Sequence, residues 1–192
     1  MPSKIESWLA DVFPGEGNIY AAYRALPPRE LAIVGCVVLD TALTELLSMR
    51  LAGPKSELES FLGINGDGRS PAGSFGARIQ LAIITGILDP DDAVALRIMK
   101  NIRNAFAHRV NVNFLSPEIM KLSLKLNDIF QMRKKAWQNF ASSVSTDEAS
   151  IFAEKIRQHP EAGEGLFLTV FCVYQAYFHL LSAEIKPIAS AL

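Results

Sequence analysis

Three residues in the stretch "LRIMKNIRNAFAHRV", at positions 96–110, hold the ingredients of phosphate chemistry: Arg103, Asn104 and His108. A guanidinium keeps its charge at any physiological pH and offers a phosphate a fork of donors. An imidazole exchanges a proton near neutrality. Plotted at 100° per residue, Arg97, Asn101, Asn104 and His108 form a polar stripe on a helix. Leu96, Met99, Arg103, Phe106 and Val110 form another, which sets Arg103 at the border of the apolar face. The cluster reads in two ways: as an acid/base or phosphate-contact site, or as a helix end where His108 and Arg109 bond the last free carbonyls.

If the border position buries Arg103, its permanent charge needs a carboxylate or carbonyl partner. Asp40 and Glu45 are the nearest candidates in kind. Asp40 follows nine apolar residues, "LAIVGCVVL", and an acid on a core helix is out of place unless paired. It is the favoured partner, with a water-facing Asp40 at the helix edge as the alternative. The three-dimensional cluster expected on this reading is Asp40, Arg103, Asn104 and His108.

The elements that carry these residues are helical by their apolar spacing, between marks made by Pro and Gly. Short helices are expected over Ser3 to Phe13 and Ile19 to Ala25. A long helix opens at "PPRE" and runs to Leu51, and a brief one covers "KSELESFLG". "NGDGRSPAG" is loop by composition, after which Ser74 caps a helix that Gly86 ends. Asp89 at the N-cap, Pro90 at the first position, and Asp91 and Asp92 against the positive dipole end start the helix that bears Arg103. Ser116 and Pro117 begin a helix to about Phe140, with Arg133, Lys134 and Lys135 suited to its C-terminal region. Further helices follow the loop with Thr146 and from Leu166 towards Lys186. The expected fold is all-α, a single-domain helical bundle of about seven to nine helices.

The chain's 192 residues suffice for one domain with a sizeable core. Apolar residues make up 49%, and mean hydropathy is +0.19, so some helices must be apolar nearly all round. "LAIVGCVVL" and "GLFLTVFCVYQAYFHLL" look membrane-like but fall short of about 20 uninterrupted apolar residues, and they read as core helices. Cys36 and Cys172 lie in apolar runs without metal-ligand spacing, as reduced thiols of a cytoplasmic protein would. The N-terminus has no signal-peptide pattern.

Other chemistries find little support. A net charge of −1 supplies no bulk field for nucleic acid. No pair of short helices with a tight turn and a basic face offers a helix-turn-helix. "NGDGRSPAGS" lacks the G-K-[ST] ending of a phosphate loop, and neither G-x-S-x-G nor H-E-x-x-H occurs. No cofactor or metal is expected.

Three segments, "LLSMRL", "GDGRSPAGSFGARIQLAIITGIL" and "LRIMKNIRNAFAHRV", resemble in order the mannitol operon repressor (MtlR) family, across roughly residues 28 to 135. The resemblance implies a cytoplasmic, all-helical bacterial protein associated with repression of mannitol uptake and utilisation genes. The expected partner is then another protein or a second copy of the chain, with direct DNA binding doubtful and no membrane. "RNAFAH" also resembles the Arg-x4-His motif of the HEPN superfamily, helical domains that include metal-independent ribonucleases and many non-catalytic members. That resemblance implies RNA as substrate or ligand, with His108 as acid/base, Arg103 on the scissile phosphate, and Asn104 as the polar residue after the Arg.

Overall fold

Proline at the first helical position, where its missing N–H costs nothing, opens three of the four long helices in the described residues of the computed structural model, which describes residues 19–64, 69–143 and 163–188. Seven helices and no strand occur among the described residues: α1 (Ile19–Arg24), α2 (Pro28–Arg50), α3 (Lys55–Leu62), α4 (Phe75–Ile84), α5 (Pro90–His108), α6 (Pro117–Ser143) and α7 (Gly163–Glu184). The fold is therefore an all-α helical bundle. The helices expected over Ser3 to Phe13 and after Thr146 lie outside the described residues. Where ends can be compared, they fall within about three residues of the expected ones, the usual uncertainty of helix termini.

Turn chemistry follows the residue types. Gly63 takes a left-handed φ of 66° to end α3, a conformation an L side chain rarely adopts. The Ser74 hydroxyl accepts from the Ala77 N–H at 3.2 Å and so caps α4. Asp89 occupies the N-cap position of α5 but makes no capping bond with its side chain. It turns instead to Arg133, 2.7 Å away.

The centre of the bundle is the pairing of α2 with α7. Buried residues of α2 run from Leu31 to Leu47, and those of α7 cover nearly its whole circumference from Leu166 to Leu180. Gly35 lies at this seam, where an added Cβ would just fill the space in ordinary contact, 3.4 Å from the Phe171 ring and 3.6 Å from that of Phe167. Tyr23 of α1 meets Phe171 edge-on at 4.6 Å, which closes one end of the stack. By length and composition both α2 and α7 could cross a bilayer, and in this bundle more than half of each apolar window is buried against the other helices. Helices α4 and α5 pack on a further side of α2, while α6 bridges α5 and α7. This layout sets the outer edge of α5 beside α2.

Candidate functional site

Arg103 is half-buried on α5, and its Nη1 donates to Asn104 Oδ1 at 2.9 Å. It does not pair with Asp40, and the expected pairing is corrected here. Asp40 Oδ1 accepts instead from Nη1 of Arg78, on α4, at 2.7 Å. Arg78 is the better placed cation because α4 lays it flat between α2 and the end of α3, only 8% exposed. Its Nη2 donates to the carbonyls of Leu62 at 2.7 Å and Gly73 at 3.5 Å, so one guanidinium ties three elements. Burial pushes the Asp40 carboxyl above the usual range, offset by the hydrogen bond and charge of Arg78 and by the charge of Arg103. Arg103 thus acts on Asp40 through its field alone.

The helix-end reading also needs correction. His108, the last residue of α5, is exposed and makes no hydrogen bond or ion pair among the described residues. Arg109 pairs with Glu118 of α6. One free carbonyl in the last turn of α5, that of Phe106, and those of Arg109 and Val110 just beyond it are taken by Arg29, from the first turn of α2, whose Nη1 donates to Phe106 and whose Nη2 donates to Arg109 and Val110, each at 2.8 Å. Sequence reasoning missed Arg29, which sits in "PPRE" and reads only as part of a helix start. With the carbonyls occupied from outside, His108 and Asn104 stay on the solvent side of a fastened helix end.

A second constellation escaped the sequence reading as well. Asp92 does lie in the first turn of α5, as its place at the dipole end implied, and it is also fully buried. Arg133 grips it with Nε at 2.9 Å and Nη2 at 2.7 Å, and the Tyr174 hydroxyl donates to it at 2.9 Å. The Arg133 guanidinium also lies 5.9 Å from the centre of the Trp137 ring. Arg133, expected to suit the C-terminal region of its helix, is instead turned inward to Asp92 ten residues before the end of α6. It joins α5, α6 and α7 at the end of α5 opposite His108. Burial raises the Asp92 carboxyl and the Tyr174 hydroxyl above their ordinary ranges, and Arg133 opposes the shift in both.

Chemically, the last turns of α5 carry a cation and an amide in contact, Arg103 and Asn104, and an exposed imidazole one turn beyond Asn104, groups of the kind that contact anions, though no bond joins His108 to the other two. Among the described residues no three His, Cys, Asp or Glu gather as a metal site would require. Burial pushes the Cys36 thiol, beneath Arg103, up to about 12, so it offers no thiolate nucleophile. Fold and site together define an all-α bundle in which the end of α5 presents Asn104 and His108 on its solvent side. Comparison of the chain with protein-family models, with curated proteins and with solved structures finds no match in any of the three.

Proposed function

We propose that the chain is a cytoplasmic transcription-regulatory protein of the mannitol operon repressor type, acting through contact with another protein or a second copy of itself. The observation that carries this reading is that the three segments resembling that family pack as one unit. Arg50, in the first segment, donates through Nε to the Thr85 carbonyl of the second at 3.0 Å. Arg97, in the third, donates to Gln80 Oε1 of the second at 2.7 Å. A resemblance spread over separate stretches therefore falls on neighbouring parts of one structure. Val110 and Leu115, 88% and 79% exposed just beyond His108, supply apolar surface of the kind protein contacts use.

The test is repression of a mannitol-responsive reporter in bacteria that lack their own repressor, alongside a DNA-binding titration of the purified chain. Expression of the chain is expected to lower reporter output, while the protein alone shows no sequence-selective nanomolar binding to operator DNA at about 150 mM salt, the regime of specific complexes. Soluble, folded chain without any effect on the reporter sinks the proposal.

One observation favours a second reading. His108 is exposed and has no side-chain partner among the described residues, one turn on from Asn104, as an acid/base residue of a metal-independent ribonuclease would be. Incubation with RNA in EDTA decides it: cleavage that disappears in His108→Ala supports this reading, and intact RNA with the parent chain removes it.

A further inference from the structure

Three helix ends surround an open cavity of about 440 Å³: α2 at Arg50, α4 with Gly86 and Ile87 just beyond it, and α7 at Leu181 and Glu184, followed by Ile185 and Lys186. It lies at the opposite end of α2 from Arg29. We propose that this cavity binds a free α-amino acid with an aliphatic side chain.

The anchor is Arg50. Its guanidinium is held from two sides, Nε donating to the Thr85 carbonyl at 3.0 Å and Nη1 to that of Lys186 at 2.8 Å. The backbone reinforces the contact, since the Ile188 N–H donates to the Arg50 carbonyl at 2.8 Å. Nη2 is left over: it has no acceptor among the described residues, and it is open to solvent, unlike the sealed Nε of Arg78. Nor does Arg50 make an ion pair among the described residues. A guanidinium already fixed in place, with one donor edge outward, meets a carboxylate without first losing side-chain freedom. A solvated surface arginine has no such advantage.

Charge sets the class. The Lys186 ammonium adds a second cation to the wall, and neither it nor the Glu184 carboxylate has a partner among the described residues. Helices α2, α4 and α7 all end here, and each C-terminal end carries a partial negative charge. A plain carboxylate would be attracted by Arg50 and repelled by Glu184 and those helix ends. A plain amine would meet the reverse. An ammonium and a carboxylate on one carbon satisfy both sets at once, the carboxylate on Arg50 Nη2 and Lys186, the ammonium on Glu184. Ile87, 6% exposed, and the partly buried Leu181 and Ile185 add apolar surface, which favours an aliphatic side chain over a polar one. The volume equals that of roughly fifteen water molecules, ample for the non-hydrogen atoms of a leucine. The site does not depend on the regulatory reading, since binding is measured on the purified chain without DNA or partner.

The test is calorimetric and NMR titration of the intact chain with leucine, isoleucine and valine at millimolar concentration. Beside them stand isocaproate, which is leucine without its ammonium, and isoamylamine, which is leucine without its carboxylate. Saturable binding of at least one amino acid is expected, with each half-molecule weaker by about tenfold or more, the scale of one lost charge-assisted hydrogen bond. Glu184→Gln, at an exposed residue that bonds to nothing else described, is expected to weaken the amino acid about tenfold and to leave isocaproate no weaker. Arg50→Gln is expected to abolish saturable binding, and should it fail to fold, Glu184→Gln carries the test alone. Absence of saturable binding by all three amino acids overturns the proposal. So does isocaproate or isoamylamine binding as tightly as leucine, which would mark a site for a single charge, and so does unchanged affinity in Glu184→Gln, which would put the ligand elsewhere.

Discussion

At the scale of single residues, the two arginines nearest Asp40 have opposite energetic roles. Arg78→Ala strands the Asp40 carboxylate and frees the carbonyls of Leu62 and Gly73. It is expected to destabilise by roughly 3 to 5 kcal/mol, the cost of removing one partner from a buried pair. Arg103→Ala, whose one hydrogen bond is to its neighbour Asn104, is expected to cost about 1 kcal/mol or less. Urea midpoints of the two variants check this, and equal losses would contradict the assignment. Asp92 makes a separate prediction. Its folded-state carboxyl is raised above 3.8, so its contribution to stability is fully present below that value and is lost as pH rises through the folded value. Asp92→Asn removes that contribution, so the variant is expected to fall further behind the parent as pH is lowered from 6 to 4. A stability gap that narrows on acidification would refute it. What could be read in advance was the anomaly, an acid among apolar residues at position 40, because burial cost is a property of the residue. Its partner could not be read, because "FGARIQLAIIT" carries the same anomaly in Arg78, and only the packing of α4 on α2 decides which cation arrives first. The burial of Asp92 went unread because an acid in a helix's first turn already has a local explanation.

At the scale of elements, helix type and position were legible, since punctuation by Pro and Gly and a 3.6-residue apolar period are local. The near-continuous apolar circumference of α7 likewise announced a central helix. Contacts between elements were another matter. The fastening of α5 by Arg29 spans 77 to 81 positions and leaves no trace in spacing. The seam between α2 and α7 allows a graded test at Gly35. An alanine Cβ would rest in contact with Phe171, and replacing Gly within a helix contributes about 1 kcal/mol of propensity, so Gly35→Ala is expected to be neutral or slightly stabilising. Gly35→Val has no room for its second methyl and is expected to destabilise by about 1 to 3 kcal/mol, through overpacking. Thermal melts of the pair measure the difference, and a valine variant as stable as the alanine one would mean the helices can separate at no cost.

At the scale of the whole molecule, the polar features divide by depth. The Asp92, Arg133 and Tyr174 network is sealed inside and joins three helices, whereas Asn104 and His108 remain at the surface of a helix end fixed from outside. The buried network and the surface residues are thus different residues, so Asn104 and His108 can be altered without breaking the contacts that join the three helices. The pairing of α2 with α7 carries a further consequence, for biosynthesis. These helices end and begin at residues 50 and 163, so more than a hundred residues are made between α2 and its cover. At ordinary translation speeds that is on the order of ten seconds during which the face of Leu31, Leu39 and Leu43 has no α7 to shield it. A nascent chain in that interval is a natural client for ribosome-associated chaperones. A truncated chain stopping before Gly163 is expected to be recovered as aggregate unless such a chaperone is supplied, and soluble, monomeric truncated protein would show that the rest of the bundle shields α2 by itself.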